Sequence, residues 1–428
     1  MRKLGYFHRR VMGELAVPKH KSHHFHDGFC VWHTLLVLSV LPMSFPRWQE
    51  SFKFLFRQPV RIGLYHNQEV NAAVVHCMEG SYQLMVDGAE VARMGVGGVL
   101  YLTQDENGVK VLDASNDFGH AGVIEFKALA LESTFQIRPT KPELETLPYD
   151  DDLLVFSSDT CMTLVNRVDF DKYLAGVVEA EAGPKAETEF YKARSIICRT
   201  FAMKHLDRHQ QERYSLCDGT HCQSYHGKSR KNPLILEAIL ETTGMVLADF
   251  NFKLISAVYH TNSGGQTQRA SNVWMNEVDY LQSVVDPYSL HQPHAKWQDT
   301  ISFEDWKSYL LDNGMKKVNK IPDEIIYVEQ MRRRKNFVLD KDSILMTKIQ
   351  EDWGFKSSYF DMFPDGDSIL VWGKGYGHGV GMSLEGAMKM AQDFFSYQDI
   401  LQFYFFDVRL MDFRDLPASS KIQVDFKY

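Results

Sequence analysis

The 428-residue chain has little cysteine, no long uninterrupted apolar run, no excess of basic charge, no internal repeat and no low-complexity tract. Each shortage excludes something. Six cysteines (Cys30, Cys77, Cys161, Cys198, Cys217 and Cys222) are too sparse for a dense disulfide framework. A net charge of −8 argues against nucleic acid or an anionic membrane as a general partner, while leaving room for a local basic cleft. The richest apolar run, Phe29 to Phe45, is interrupted by His33 and falls short of the ~20 residues that a spanning helix needs. Arg2, Lys3, Arg9, Arg10, Lys19 and Lys21 precede it and Pro46 comes after it. Residues 1–46 therefore read as a secretory signal or short signal anchor, with Met43 as an alternative start.

The composition present describes a globular protein: 44% apolar and 13% aromatic residues, and length enough for two or three domains at ~150 residues each. Short alternating runs (Val60 to Tyr65, Tyr82 to Val86, Val99 to Thr103) dominate the first part, and Asp87-Gly88 between two of them signals a hairpin. Residues 58–138 are expected to form a mostly β domain. The acidic, Pro-containing stretch 139–152 reads as a linker, and 153–428 as a domain of mixed helices and strands. The fold class is α+β.

The most informative stretch is GVVEAEAGP, Gly176 to Pro184. Asp169 is placed to cap a helix on which Phe170, Tyr173, Leu174, Val177, Val178 and Glu181 share one face. Glu181 thus takes a core position, whereas Glu179, about 200° around the helix, is expected to face water. A carboxylate on a buried stripe costs stability unless it is paired or protonated. An ion pair with Lys192 or Arg199 is the plain structural explanation; an acid of a catalytic site is the other. Gly183 and Pro184 end this helix, and a second is predicted from about Ala186 to Arg208, with Lys192, Ser195 and Arg199 on one stripe and Ala193, Ile197 and Thr200 on the next.

Further along, Cys217-x3-His221-Cys222 offers three metal ligands, with His209, or else His205, as a fourth; free thiols or a disulfide are the alternatives. Ser263-Gly264-Gly265 and Gly375 to Gly381 form glycine-rich loops entered by His260 and His378. The second is no phosphate loop, since it lacks the Lys-Ser/Thr pair that would lead into a helix. Residues 314–365, with Arg332, Arg333 and Arg334, read as a solvated surface.

Taken in order, these segments resemble the SpoIID/LytB family of cell-wall proteins. Val177, Val178 and Glu181 match its VVxxE stretch, and Lys192, Ala193, Arg199, Thr200, Phe201 and Ala202 match the helix after it. CDGTHCQSYHG (Cys217 to Gly227) is similar to its CQxY segment, AVYHTNSGGQT (Ala257 to Thr267) to its SGG loop, and GKGYGHGVGMSLEGA (Gly373 to Ala387) to its glycine-rich signature, with Leu384 where the family has Gln. The resemblance spans about Val165 to Arg409.

It implies an exported, peptidoglycan-acting protein of the cell envelope. In the SpoIID branch it implies a lytic transglycosylase that cleaves between muramic acid and glucosamine residues and leaves a 1,6-anhydro end, Glu181 serving as acid and base. One carboxylate suffices for that reaction, whereas ordinary glycoside hydrolysis takes two, and no second is evident here. Lys192, Arg199, Gln223, Tyr225, Ser263, Gly264, Gly265 and His378 would hold the glycan. Zinc, present in some members, would be structural on His209, Cys217, His221 and Cys222. The LytB branch implies instead a non-catalytic enhancer of a cell-wall amidase. A zinc amidase built on the Cys/His cluster ranks last, because catalytic zinc keeps an open position.

Overall fold

The computed structural model describes residues 59–420, apart from 275 and 321–325. The expected leader at 1–46 lies outside the described residues. No described helix is long and apolar enough to cross a membrane.

Two antiparallel-rich sheets make the first layer. The larger runs, in spatial order, Leu216–Cys217, Pro59–Leu64, Met162–Asp169, Asp152–Ser157, Val123–Ala128, Ser81–Val86 and Ala89–Gly95. The other has Leu147–Asp150, Thr134–Lys141, Ala72–Glu79, Val99–Asp105, Gly108–Leu112 and Asp117–Ala121. The hairpin at Asp87-Gly88 forms as expected, both residues taking positive φ (47° and 85°).

The α+β class is borne out, but two boundaries differ. Residues 139–152 are not a linker: they supply the end of one strand, all of Leu147–Asp150 and the first residue of Asp152–Ser157. Nor does the β layer stand apart from the helices. Pro59–Leu64 pairs with Met162–Asp169 on one side and Leu216–Cys217 on the other, and one apolar core runs from these sheets into the helices. Alternation in these strands is satisfied by a shared core, which sequence runs alone do not reveal.

Helix α1 (Phe170–Ala182) starts where predicted, Asp169 accepting from the amides of Asp171 and Lys172. Helix α2 (Thr188–Lys204) is shorter than expected and buried on nearly every side. Helix α3 (Pro233–Glu241) closes over both, Asn232 capping it. The two-residue strand Tyr259–His260 pairs in parallel with Met382–Ser383 and so draws the two glycine-rich loops together.

The region read as solvated surface, 314–365, is instead part of a second core, in which its Ile349 and Phe360 pack with Trp306, Leu310 and Val371 from either side of it. That core is built from α4 (Phe303–Asp312), α5 (Met346–Trp353) and a sheet of Lys296–Ser302, Ser368–Lys374 and Phe360–Asp365. Arg333 is buried, donating to the carbonyls of Gln266 and Ser263 at 2.6 and 2.8 Å. Helix α6 (Leu384–Gln392) comes directly after the signature loop, capped by Ser383.

Candidate active site

Glu181 sits on the last turn of α1, turned inward as its helical phase requires. Its Oε1 accepts from the Ser224 amide at 2.9 Å. Its Oε2 accepts from the Tyr259 hydroxyl at 2.5 Å and from the Arg194 guanidinium. Arg194 is fully buried, its Cζ 3.4 Å from the centroid of the Tyr259 ring. Burial pushes the Tyr259 hydroxyl above its ordinary range, so it remains a donor.

This carboxylate opens on a cleft of about 350 Å³. Ser224 and His226 form one part of its lining, Tyr259, His260 and Thr261 another, and Tyr376, Gly377, His378 and Leu384 a third. Val380 fixes the two histidines in opposite tautomers. Its carbonyl accepts from His260 Nδ1 at 3.1 Å, and its amide donates to His378 Nδ1 at 3.0 Å. Burial holds His378 down at about 4 and His260 well below the usual range, so both are neutral at pH 7. Glu181 is the only carboxylate among the described lining residues. Glu385, next to Leu384 in the chain, is bound instead by Asn262 (2.6 Å) and His294 (2.6 Å).

Several expected ligands are placed elsewhere. Arg199 does not meet Glu181: its buried guanidinium binds Asp171 and the carbonyls of Ile239, Thr242 and Met245, tying α1 and α2 to α3. Lys192 pairs with Glu189 and Glu241 at 2.8 and 2.7 Å. Tyr225 is buried with its hydroxyl on Asn166, and Gln223 is buried with its Oε1 accepting from the Tyr173 hydroxyl. Ser263 binds Asp286 and Ser289. Gly264 has φ +67°, and a Cβ there would lie 2.4 Å from the Lys374 backbone, so this glycine lets the two loops pack on each other. Neither Gly264 nor Gly265 lines the cleft; of the proposed glycan ligands only His378 does. Glu179 does not face water but is half-buried, accepting from Ser229 Oγ and the amides of Arg230 and Lys231.

Sequence reasoning missed Arg194, Tyr259, Ser224, His226 and Tyr376. For Arg194 a signal existed: it lies four residues before Cys198 and beside Ala193 and Ile197, an arginine on an apolar stripe. Because α2 is buried nearly all round, its polar stripe did not mark the cleft side.

Beside the cleft, ligand atoms of His209, Cys217, His221 and Cys222 lie within 4.8 Å of one another. Cys222 Sγ is 3.5 Å from His209 Nε2 and 3.8 Å from His221 Nδ1, and Cys217 Sγ is 3.9 Å from the latter. Glu212 binds His209 Nδ1 at 2.7 Å, which leaves Nε2 facing the thiols. His205, the weaker candidate, is not part of this group. From Cys222 the chain leads in two residues to the Ser224 amide on Glu181, and then to Gly227 (φ +81°), where a Cβ would lie 2.0 Å from the Pro148 carbonyl oxygen and so has no room.

Residues 158–248, which include Glu181, Arg194 and the Cys/His group, match the family model described as SpoIID, stage II sporulation protein. Over this stretch the chain is similar to the SpoIID family. The resemblance read from its ordered motifs is thereby borne out. Stage II sporulation protein D of Bacillus subtilis is 29% identical over 259 residues, 56% of this chain and 74% of the relative. An uncharacterized protein of Brachyspira hyodysenteriae is 27% identical over 274 residues, 63% of this chain and 74% of the relative. The amidase enhancer of Bacillus subtilis is 26% identical over 284 residues, 54% of this chain but only 39% of the relative. The SpoIID relationship supports a cell-wall-related role.

Proposed function

We propose that this SpoIID-like protein is a lytic transglycosylase of peptidoglycan, acting in the cell envelope, with Glu181 as its acid and base. The observation that carries this reading is that Glu181 is the single carboxylate among the described residues lining the cleft. Its two oxygens are used differently. Oε2 is occupied by Arg194 and Tyr259, whereas Oε1 accepts only one backbone amide and keeps a lone pair for the travelling proton. Glu181 passes that proton to the glycosidic oxygen as the bond breaks, then takes one from the C6 hydroxyl of the same muramic acid as it closes the 1,6-anhydro ring. Water is not consumed. Neutral His378, Tyr376 and Thr261 line the walls where sugar hydroxyl and amide groups would bind.

The Cys/His group fits zinc. Two thiols and two imidazoles are a common donor set, and tetrahedral bonds of ~2.3 and ~2.0 Å place neighbouring S and N atoms about 3.5 Å apart. With four protein ligands the metal would be structural. It would hold the 217–222 loop, and through it the Ser224 amide on Glu181.

The test is the product. Full-length protein should release 1,6-anhydro-muramic ends from glycan strands stripped of peptides, read by mass spectrometry. Reducing muramic ends alone would mean that water is the nucleophile and would end the proposal. A second reading, a non-catalytic partner that enhances a cell-wall amidase, draws support from the 26% identity to an amidase enhancer. It expects no new ends from this protein alone and faster peptide release when an amidase is added.

A further inference from the structure

We propose that the outer face of the Lys296–Ser302, Ser368–Lys374, Phe360–Asp365 sheet is a second glycan-binding surface that holds a strand extending from the Glu181 cleft. This rests on the glycan reading above. The inner face of the sheet is spent on the second core, through Ile301, Ile369, Val371, Phe360 and Met362. Its outer face keeps two large aromatics in water, Trp372 at 48% exposure and Phe363 at 44%. Their rings lie 5.6 Å apart and nearly edge to face. Packing against each other accounts for part of each ring; the remaining faces are open.

Strand register places polar groups beside them. Trp372 is flanked by Gln298 on one neighbouring strand and Asp361 on the other, and Phe363 lies in the row of Leu370 and Thr300. Lys374, two residues on from Trp372 and on the same face, pairs with Asp361 at 2.7 Å. Flat aromatic faces interleaved with donors and acceptors suit a sugar strand, whose rings show C–H faces to an aromatic and hydroxyls to its neighbours. A purely apolar partner would strip water from Gln298 and from the Asp361–Lys374 pair without replacing it.

Continuity identifies the occupant. The strand carrying Trp372 runs straight into the loop that carries Tyr376, a cleft residue that is itself 40% exposed. Four residues of extended chain span at most ~13 Å, more than one sugar unit and less than an oligosaccharide of several units. A strand seated over Glu181 therefore reaches Trp372 only when it is several sugars long.

Chain length is thus the discriminating variable. Binding of β-1,4-linked N-acetylglucosamine dimers and hexamers is measured by calorimetry on full-length Glu181→Gln protein, with and without Trp372→Ala or Phe363→Ala. Both substitutions fall on exposed side chains, and melting curves check that the fold is kept. Trp372→Ala should weaken the hexamer about fivefold, with a smaller loss for Phe363→Ala, and leave the dimer unchanged. Equal losses for both lengths, or an undiminished hexamer, would overturn the second surface while leaving the cleft reading intact. An undiminished hexamer together with lost capture of a cell-wall amidase would assign the face to a protein. Failure of the parent protein to bind either length would overturn the glycan reading and this surface with it.

Discussion

Arg194 and Tyr259 meet on one oxygen of Glu181, the guanidinium stacked over the phenol ring at 3.4 Å while both groups donate to Oε2. The stack fixes two donors relative to each other before the carboxylate arrives. Tyr259→Phe keeps the ring and the cation–π contact but removes one donor. Turnover should fall about tenfold, with a melting temperature within a few degrees of the parent. An unchanged rate would show that the hydroxyl is structural only.

Two arginines of the same helix should behave oppositely. Arg199→Met leaves Asp171 and the carbonyls of Ile239, Thr242 and Met245 without their cation, so it should cost about 3–5 kcal/mol of stability while the folded fraction keeps its turnover. Arg194→Lys keeps the charge and loses the planar stack. It should reduce turnover more than it reduces stability, as compared by chemical denaturation and product release.

Glu181→Gln should lower turnover by ~10²-fold or more and remain folded. Glu179→Ala should do the reverse. It removes the acceptor for Ser229, Arg230 and Lys231, costing about 1–3 kcal/mol, with little change in turnover of the folded protein. Equal kinetic effects would show that the cleft is not built around Glu181.

These pairs mark the parts of the site that were legible in the chain. The phase of α1 was, because Asp169 caps it and its apolar positions repeat cleanly up to Glu181. The Cys/His group was also legible, its ligands being close in sequence. Arg199 was misassigned because α2 is buried on nearly all sides, so a stripe of charge no longer tells which neighbour it meets. Tyr259, His226 and Tyr376 reach the cleft through loop crossings and a two-residue parallel pairing, contacts that no local pattern encodes. The second core escaped notice because its sheet pairs Lys296–Ser302 with a strand much later in the chain, across a long, irregularly patterned stretch.

Elemental analysis of protein purified without chelator should find close to one zinc per chain, and Cys222→Ser should lose it together with melting temperature. Glu212→Gln, which alters the group behind His209 and the acceptor of the Tyr214 hydroxyl, should weaken zinc binding by ~10–100-fold. Metal-free protein with both cysteines titrating as free thiols would end the zinc proposal.

Stability should also depend on acid. His260 and His378 are held below the unfolded value of ~6.5 by burial, so the unfolded chain binds more protons as pH drops. Their contribution is complete above about pH 6.5 and is lost as pH falls toward about 4, where His378 itself titrates. Melting temperature should fall across that window, and His378→Asn should flatten the slope. An unaltered slope would mean that other groups dominate.

The strand Met162–Asp169 has both of its sheet neighbours, Pro59–Leu64 and Asp152–Ser157, upstream of residue 158. The stretch recognisable by ancestry and the stretch able to fold are therefore different objects. A fragment cut to residues 158–248 would begin in mid-sheet with two bare strand edges, an invitation to aggregate, however well its sequence matches. Inheritance here has kept the segment around Glu181 recognisable while letting its foundations be supplied by chain that the same comparison leaves unmatched.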